Sequence, residues 1–198
     1  MNQPKIRIED YTYELPDERI AKYPLDQRDK SKLLIYNKGI ISQEQFSSIP
    51  SFIPEGSMMV FNNTKVVPAR LFFKKDTGAL IEIFCLEPVT PSDYSVSFAC
   101  ISECSWKTII GNVKKWKGGY LSFFVPEGAD SDVVGLNLKA ELIEKQDNSY
   151  IVRFFWEGGH PFSKVLELCG QVPIPPYLNR ETEAVDLERY QTLYAKFR

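Results

Sequence analysis

Hydrophobic and polar positions fall into three successive textures. In the first, "KLLIYNKGIIS" at 32–42 has two apolar runs, Leu33 to Tyr36 and from Ile40 onward, with Asn37, Lys38 and Gly39 between them. That pattern predicts a β-hairpin. Before it, Pro16, Asp17 and Glu18 suit a first helical turn, Ile20 and Tyr23 give one apolar side, and Pro24 ends it, so a short helix is expected. After it, Ser47 or Ser48 can cap a brief helical turn, and the "PEGS" turn at 54–57 launches an apolar strand, "MMVFN".

From about residue 71 to 156 the runs become short, aromatic and β-branched: "LIEIFCLEP", "YSVSFACIS", "YLSFFVP", "LKAELIEK" and "YIVRFFW". Turn-forming "KDTG", "KGG", "PEG" and "QDN" separate them, which predicts a small antiparallel barrel or sandwich as its own domain. Past Gly158 and Gly159 a short helix is expected from Pro161 to Leu168. Pro173, Pro175 and Pro176 then enforce an extended segment. In "DLERYQTLYAKFR", Asp186 suits an N-cap, and Leu187, Tyr190, Leu193, Tyr194 and Phe197 recur at helical spacing. No Gly or Pro stop follows this apolar stripe, so it is expected to pack on the first seventy residues or on sequence downstream of Arg198.

Composition narrows the classes. The 198 residues are 43% hydrophobic and 13% aromatic, enough for a packed core. Twenty-four Lys plus Arg against twenty-six Asp plus Glu leave a net charge of -2, so any RNA contact must come from a local patch. The start carries no secretory pattern and no apolar run reaches the roughly 18 residues of a membrane helix, so the expectation is a cytoplasmic protein without membrane association. Cys85, Cys100, Cys104 and Cys169 form no C-x-x-C pair, and with His160 the single histidine, no metal site is expected and the thiols read as reduced, packed side chains. Rossmann, P-loop, zincin and serine-hydrolase signatures are missing.

Three polar-dense stretches remain: "DQRDKSKLL" at 26–34, "NNTKVVPARL" at 62–71 and "PIPPYLNRETEAVDLERYQTLYA" at 173–195. Asn62, Asn63 and Thr64 could orient a polar ligand without charge, and Arg70 adds a rigid charged fork; a capped turn with Arg70 in a surface pair would use the same residues. Arg28, Asp29 and Lys32 could line a site or a solvated loop, and Glu188, Arg189 and Gln191 a site or the wet side of a helix. His160 could be an acid or base, or a loop residue. Trp106 and Trp116 interleave with Lys107, Lys114, Lys115 and Lys117, which suits a phosphate backbone with a stackable base and equally suits ordinary edge-protecting turns.

Taken in order, "YTYELPDERIAKYPLDQRDKSKLLIY", "VFNNTKVVPARL", "TGALIEIFCLEP", "PIPPYLNR" and "DLERYQTLYA" resemble the S-adenosylmethionine:tRNA ribosyltransferase-isomerases, which build epoxyqueuosine in the tRNA anticodon loop. The resemblance runs nearly end to end. It implies an α+β protein of two domains: a discontinuous α/β domain, 1–70 with 157–198, interrupted by an inserted small antiparallel β-barrel at 71–156. It also implies S-adenosylmethionine as a substrate, no metal or redox cofactor, and tRNA as the partner; a monomer is the expectation for the assembly.

In that chemistry the ribosyl part of S-adenosylmethionine passes to the aminomethyl group of 7-aminomethyl-7-deazaguanine, and adenine and methionine leave. The sulfonium acidifies the adjacent 5′ methylene and makes methionine a good leaving group. Such a site needs a base, polar groups for ribose and adenine, an aromatic or apolar surface for the sulfonium, and a slot for the base. Carried onto this chain, the catalytic set is Asn62, Asn63, Thr64, Arg70 and Glu188, and the substrate-binding set is Arg28, Asp29, Tyr177, Arg180, Arg189 and Gln191. Lys114, Lys115, Trp116 and Lys117 are the RNA candidates.

The sequence departs from the commoner family form at Asn63, where that form has Asp, at Lys32 and Lys65, where it often has Arg, and at Asn112, where it tends to have Pro. The family continues past "ERYQTLYA" with a large further part of the α/β domain, so these residues are expected to be its first half and inactive alone. An RNA-binding module without chemistry and a paralogue acting on another amine acceptor are the other readings.

Overall fold

The expected hairpin forms in a computed structural model that describes residues 6–195. Strand β1 (Lys32–Asn37) pairs antiparallel with β2 (Ile40–Gln45) through Lys38 and Gly39, whose φ values of 48° and 90° place both in the left-handed region that a tight I′ turn requires. The helical expectations around it resolve as 3₁₀ turns at Asp17–Arg19, Arg28–Lys30 and Phe46–Phe52.

These elements belong to the smaller of two compact units, Met1–Val60 with Pro175–Glu181; the larger is Phe61–Ile174 with Thr182–Arg198. On the hairpin, Leu34, Tyr36 and Ile41 share one face by register and are 70–75% exposed. Among the described residues of this unit, Leu178 is the only buried apolar side chain. The strand expected at "MMVFN" does not form, because no described strand pairs with it; Met58 and Val60 are about 90% exposed.

In the larger unit, period-two alternation closes a six-stranded antiparallel barrel, which makes the chain an α+β protein with a small barrel, as expected. Its strands are β3 (Arg70–Lys74), β4 (Leu80–Thr90), β5 (Glu103–Gly111), β6 (Tyr120–Phe123), β7 (Lys139–Lys145) and β8 (Tyr150–Phe155), in the spatial order β3-β4-β5-β8-β7-β6. Pairing of Phe73 with Phe123 and of Lys74 with Ser122 joins β3 to β6 and removes the sheet edge. Leu71 and Phe73, Ile81 and Ile83, Trp106 and Ile110, Leu121, Ala140, and Val152 and Phe154 fill the interior. Thr108, also fully buried, is satisfied by donating to the Tyr150 carbonyl at 3.1 Å.

Helix α1 (Tyr94–Ala99) replaces the strand expected at "YSVSFACIS". The Asp93 carboxylate caps it by accepting from Val96 N–H at 3.0 Å, and Tyr94 and Phe98 both pack on Trp106. Helix α2 (Ser131–Gly135) lies between β6 and β7, and α3 (Phe162–Cys169) follows Pro161 as expected. The α3 spacing Phe162, Val165, Leu166, Cys169 buries one face, and Phe162 meets Trp106, Phe154 and Trp156 at centroid distances of 5.3–5.6 Å. Pro176 opens a single 3₁₀ turn, Pro176–Leu178, where an extended segment was expected.

The long terminal helix is cut to one turn, α4 (Asp186–Arg189). Asp186 is buried inside it rather than capping it, and its carboxylate accepts from the Glu183 N–H at 2.8 Å. Beyond Arg189 the chain leaves the helix to bond residues 62–66. Phe197 of the expected stripe lies outside the described residues.

Candidate functional site

The polar exit at 62–70 is organised by its own side chains. Asn62 Oδ1 accepts from both the backbone N–H of Thr64, at 2.9 Å, and its hydroxyl, at 2.7 Å, an Asx turn that bends the chain. Among the described residues the Asn63 carboxamide makes no hydrogen bond.

Gln191 acts on this segment as an adjacent strand would. Its Nε2 donates to the Val66 carbonyl at 2.7 Å and its Oε1 accepts the Val66 N–H at 2.9 Å. Thr192 Oγ1 donates to the Asn62 carbonyl at 3.1 Å, and the Tyr194 ring packs on Phe61 with centroids 4.7 Å apart. Three sequence-identified positions, Asn62, Thr64 and Gln191, therefore meet in one assembly. Glu188 and Arg189 sit on α4 just before it, with Glu188 exposed and Arg189 half-buried.

Downstream, Arg70 and Gln171 form a β-bridge, with Gln171 N–H to Arg70 carbonyl at 2.8 Å and the reverse bond at 3.2 Å. Arg70 Nε lies 2.9 Å from Glu82 Oε1, an ion pair by distance. Nε is itself buried, and among the described residues it forms this ion pair without a hydrogen bond of good geometry. Gly170 makes the bridge possible: a Cβ there would lie 1.8 Å from the Pro68 carbonyl oxygen.

Behind the segment is a cavity of about 310 Å³ lined by Lys65, Val66, Val67, Pro68, Phe98, Ser163, Glu167, Val172, Leu187 and Gln191. Its walls are mainly apolar with a few polar groups, the composition of small-molecule sites. Sequence reasoning missed Glu82, Gly170, Ser163 and Glu167; only the barrel register and the fold of α3 against residues 65–68 reveal them.

In the smaller unit, Arg180 donates from Nε to the Lys22 carbonyl and from Nη1 to the Glu181 carbonyl, both at 2.9 Å, and stacks 4.5 Å over the Tyr23 ring. Arg28 and Asp29 form a 3₁₀ turn, and Tyr177 is exposed on another. On the barrel, Lys114, Lys115 and Lys117 are exposed, but Trp116 is 3% exposed and donates Nε1–H to the Gly119 carbonyl, which corrects its expected role as a base-stacking platform. Trp106 is equally buried. His160 is a half-buried loop residue whose carbonyl accepts from Trp156 Nε1 at 2.7 Å. The buried thiols are chemically quiet: burial pushes Cys104 and Cys169 up to about 12 and raises Cys85 too. Among the described residues no three His, Cys, Asp or Glu side chains converge to hold a metal.

The family profile described as "Queuosine biosynthesis protein" matches residues 8–198. Among curated relatives, a protein of Trichlorobacter lovleyi named S-adenosylmethionine:tRNA ribosyltransferase-isomerase is 37% identical over 190 residues, which is 95% of this chain and 49% of the relative. Proteins of the same name from Aquifex aeolicus and Desulfitobacterium hafniense are 35% and 37% identical over 194 residues, covering 96% of this chain and 50% of each relative. The chain thus spans about half the length of the curated relatives it matches. With the profile covering nearly all of it, this chain belongs to the queuosine biosynthesis protein family.

Proposed function

We propose that this chain forms part of an enzyme that transfers and isomerises the ribosyl moiety of S-adenosylmethionine onto 7-aminomethyl-7-deazaguanine in the tRNA anticodon region, giving epoxyqueuosine. The observation that carries the reading is the match along 95% of the chain to a protein named S-adenosylmethionine:tRNA ribosyltransferase-isomerase. The assembly around residues 62–70 supports it, since it gathers uncharged polar groups and an arginine beside an apolar cavity.

In this reading Asn63 and Thr64 hold ribose or adenine polar atoms, Arg70 receives an anionic or carbonyl oxygen, and Glu188 supplies a carboxylate for the proton lost from the 5′ methylene. Arg28, Asp29, Tyr177, Arg180, Arg189 and Gln191 contribute to substrate binding, Gln191 by holding Val66 in place. S-adenosylmethionine enters as a substrate, with no separate cofactor. The working enzyme is proposed to be a cytoplasmic monomer; no described helix is long and apolar enough to cross a membrane.

Adenine release from S-adenosylmethionine tests the reading. The full-length protein should release adenine only with tRNA carrying the deazaguanine base, and the 198-residue polypeptide should release none. Arg70→Ala and Glu188→Ala in the full-length protein should each lower turnover about 10²-fold or more, the usual scale for an electrostatic or acid–base group. Unchanged turnover in both would refute the assignment.

A further inference from the structure

One end of the barrel carries a cluster of lysines. Lys74 and Lys75 leave β3 into the turn before β4, while Lys114, Lys115 and Lys117 occupy the loop between β5 and β6. Lys75 Nζ donates to the Lys115 carbonyl at 3.1 Å, which ties the two segments together. The lysine loop is held from below by Trp116, whose buried ring and bond to the Gly119 carbonyl act as a staple, leaving the flanking lysines exposed. Lys74 lies 5.9 Å over the ring of Phe124, itself 40% exposed. Segments 74–79 and 112–119, with the β7–β8 turn 144–149 at the same end, hold six lysines against three acids, Asp76, Glu144 and Asp147, in a chain whose net charge is -2.

We propose that this lysine platform is a docking surface for RNA backbone phosphates, separate from the groups at 62–70. The inference rests on tRNA being the substrate and adds a grip that carries no chemistry. Exposed ammonium groups on pinned turns, with an aromatic ring beside them, match a phosphate backbone and its bases. The span also fits: Arg70 and Lys74 are the two ends of β3, four residue steps or about 13 Å apart at strand rise, within reach of one stem-loop.

The test is tRNA binding by the full-length protein across a salt series, for wild type, a Lys114→Ala/Lys115→Ala/Lys117→Ala variant, and Lys164→Ala as a surface control on α3, which packs on Phe154 and Trp156 at the opposite end of the barrel. The triple variant should weaken binding about tenfold or more at low salt and flatten the salt slope by about 0.7–0.9 for each phosphate no longer neutralised, while Lys164→Ala matches wild type. An unchanged slope and Kd in the triple variant overturns the platform; weaker binding to anionic vesicles with tRNA binding intact overturns it in favour of a membrane. If wild type turns over tRNA while the variant binds it equally well, only the platform fails. Lysine-dependent tRNA binding without turnover keeps the platform and removes the proposed reaction.

Discussion

Replacing Gly170 by alanine should loosen the whole polar segment. The backbone of Gly170, at φ -88° and ψ 157°, is open to any residue, so the problem is contact and not strain. The new Cβ would meet the Pro68 carbonyl oxygen at 1.8 Å and the Leu166 carbonyl oxygen at 2.6 Å, both backbone atoms that no rotamer change can move. Because real Cβ contacts stay beyond 3.0 Å, the two segments must part by at least 3.0 less 1.8, or 1.2 Å. That breaks both bonds of the Arg70–Gln171 bridge, now 2.8 and 3.2 Å long. Two hydrogen bonds at about 1 kcal/mol each, with about 1–3 kcal/mol of overpacking, give a destabilisation of roughly 3–5 kcal/mol. Gly135 is the matched control, at the end of α2 with nothing within 4 Å of its added Cβ; alanine there should be neutral or stabilise by up to about 1 kcal/mol. Urea denaturation of the two variants followed by circular dichroism decides it: if Gly170→Ala unfolds within about 0.5 kcal/mol of Gly135→Ala, the close approach does not exist.

Other consequences follow from the barrel and its helices. Trp116→Ala should cost about 3–5 kcal/mol in thermal or urea unfolding, as expected for a buried ring, whereas an exposed stacking residue would cost almost nothing. The carboxyl of Asp93 is held below its ordinary 3.8 by the Ser95 hydroxyl and the Val96 N–H. Its contribution is therefore present above that value and is lost as pH falls through the lower folded one, and Asp93→Asn should flatten an acid titration of stability there. Burial raises the Cys104 and Cys169 thiols from 9.0 to about 12, so their contribution is full below pH 9 and is lost as pH rises from 9 to about 12. At pH 8 an aromatic disulfide reagent should modify half-buried Cys100 first and the other three only after unfolding.

Legibility in the sequence tracked how local the cause of each feature is. The β1–β2 hairpin was readable because Lys38 and Gly39 suffice to make its turn, and most of the barrel because inward alternation repeats within each strand. In "YSVSFACIS" the same alternation misled, since the Asp93 cap and the packing of Tyr94 and Phe98 on Trp106 outweighed it. The helical spacing after Arg189 was defeated by bonds from Gln191 to Val66 and from Thr192 to Asn62, partners 125 and 130 residues away. Trp116 read as a platform because its lysine neighbours are visible in sequence and its burial is not. Of the candidate site, Asn62, Thr64 and Gln191 were legible by residue type, but the Glu82 oxygen beside Arg70 and the Gly170 approach depend on strand register and helix docking.

The most direct measurement is mass spectrometry of nucleosides digested from tRNA after incubation of the full-length protein with S-adenosylmethionine. A deazaguanine nucleoside heavier by one ribosyl-derived unit, formed together with free adenine and methionine, is the predicted result. Methyl addition alone, or an unchanged nucleoside spectrum with bound tRNA and S-adenosylmethionine, would contradict it.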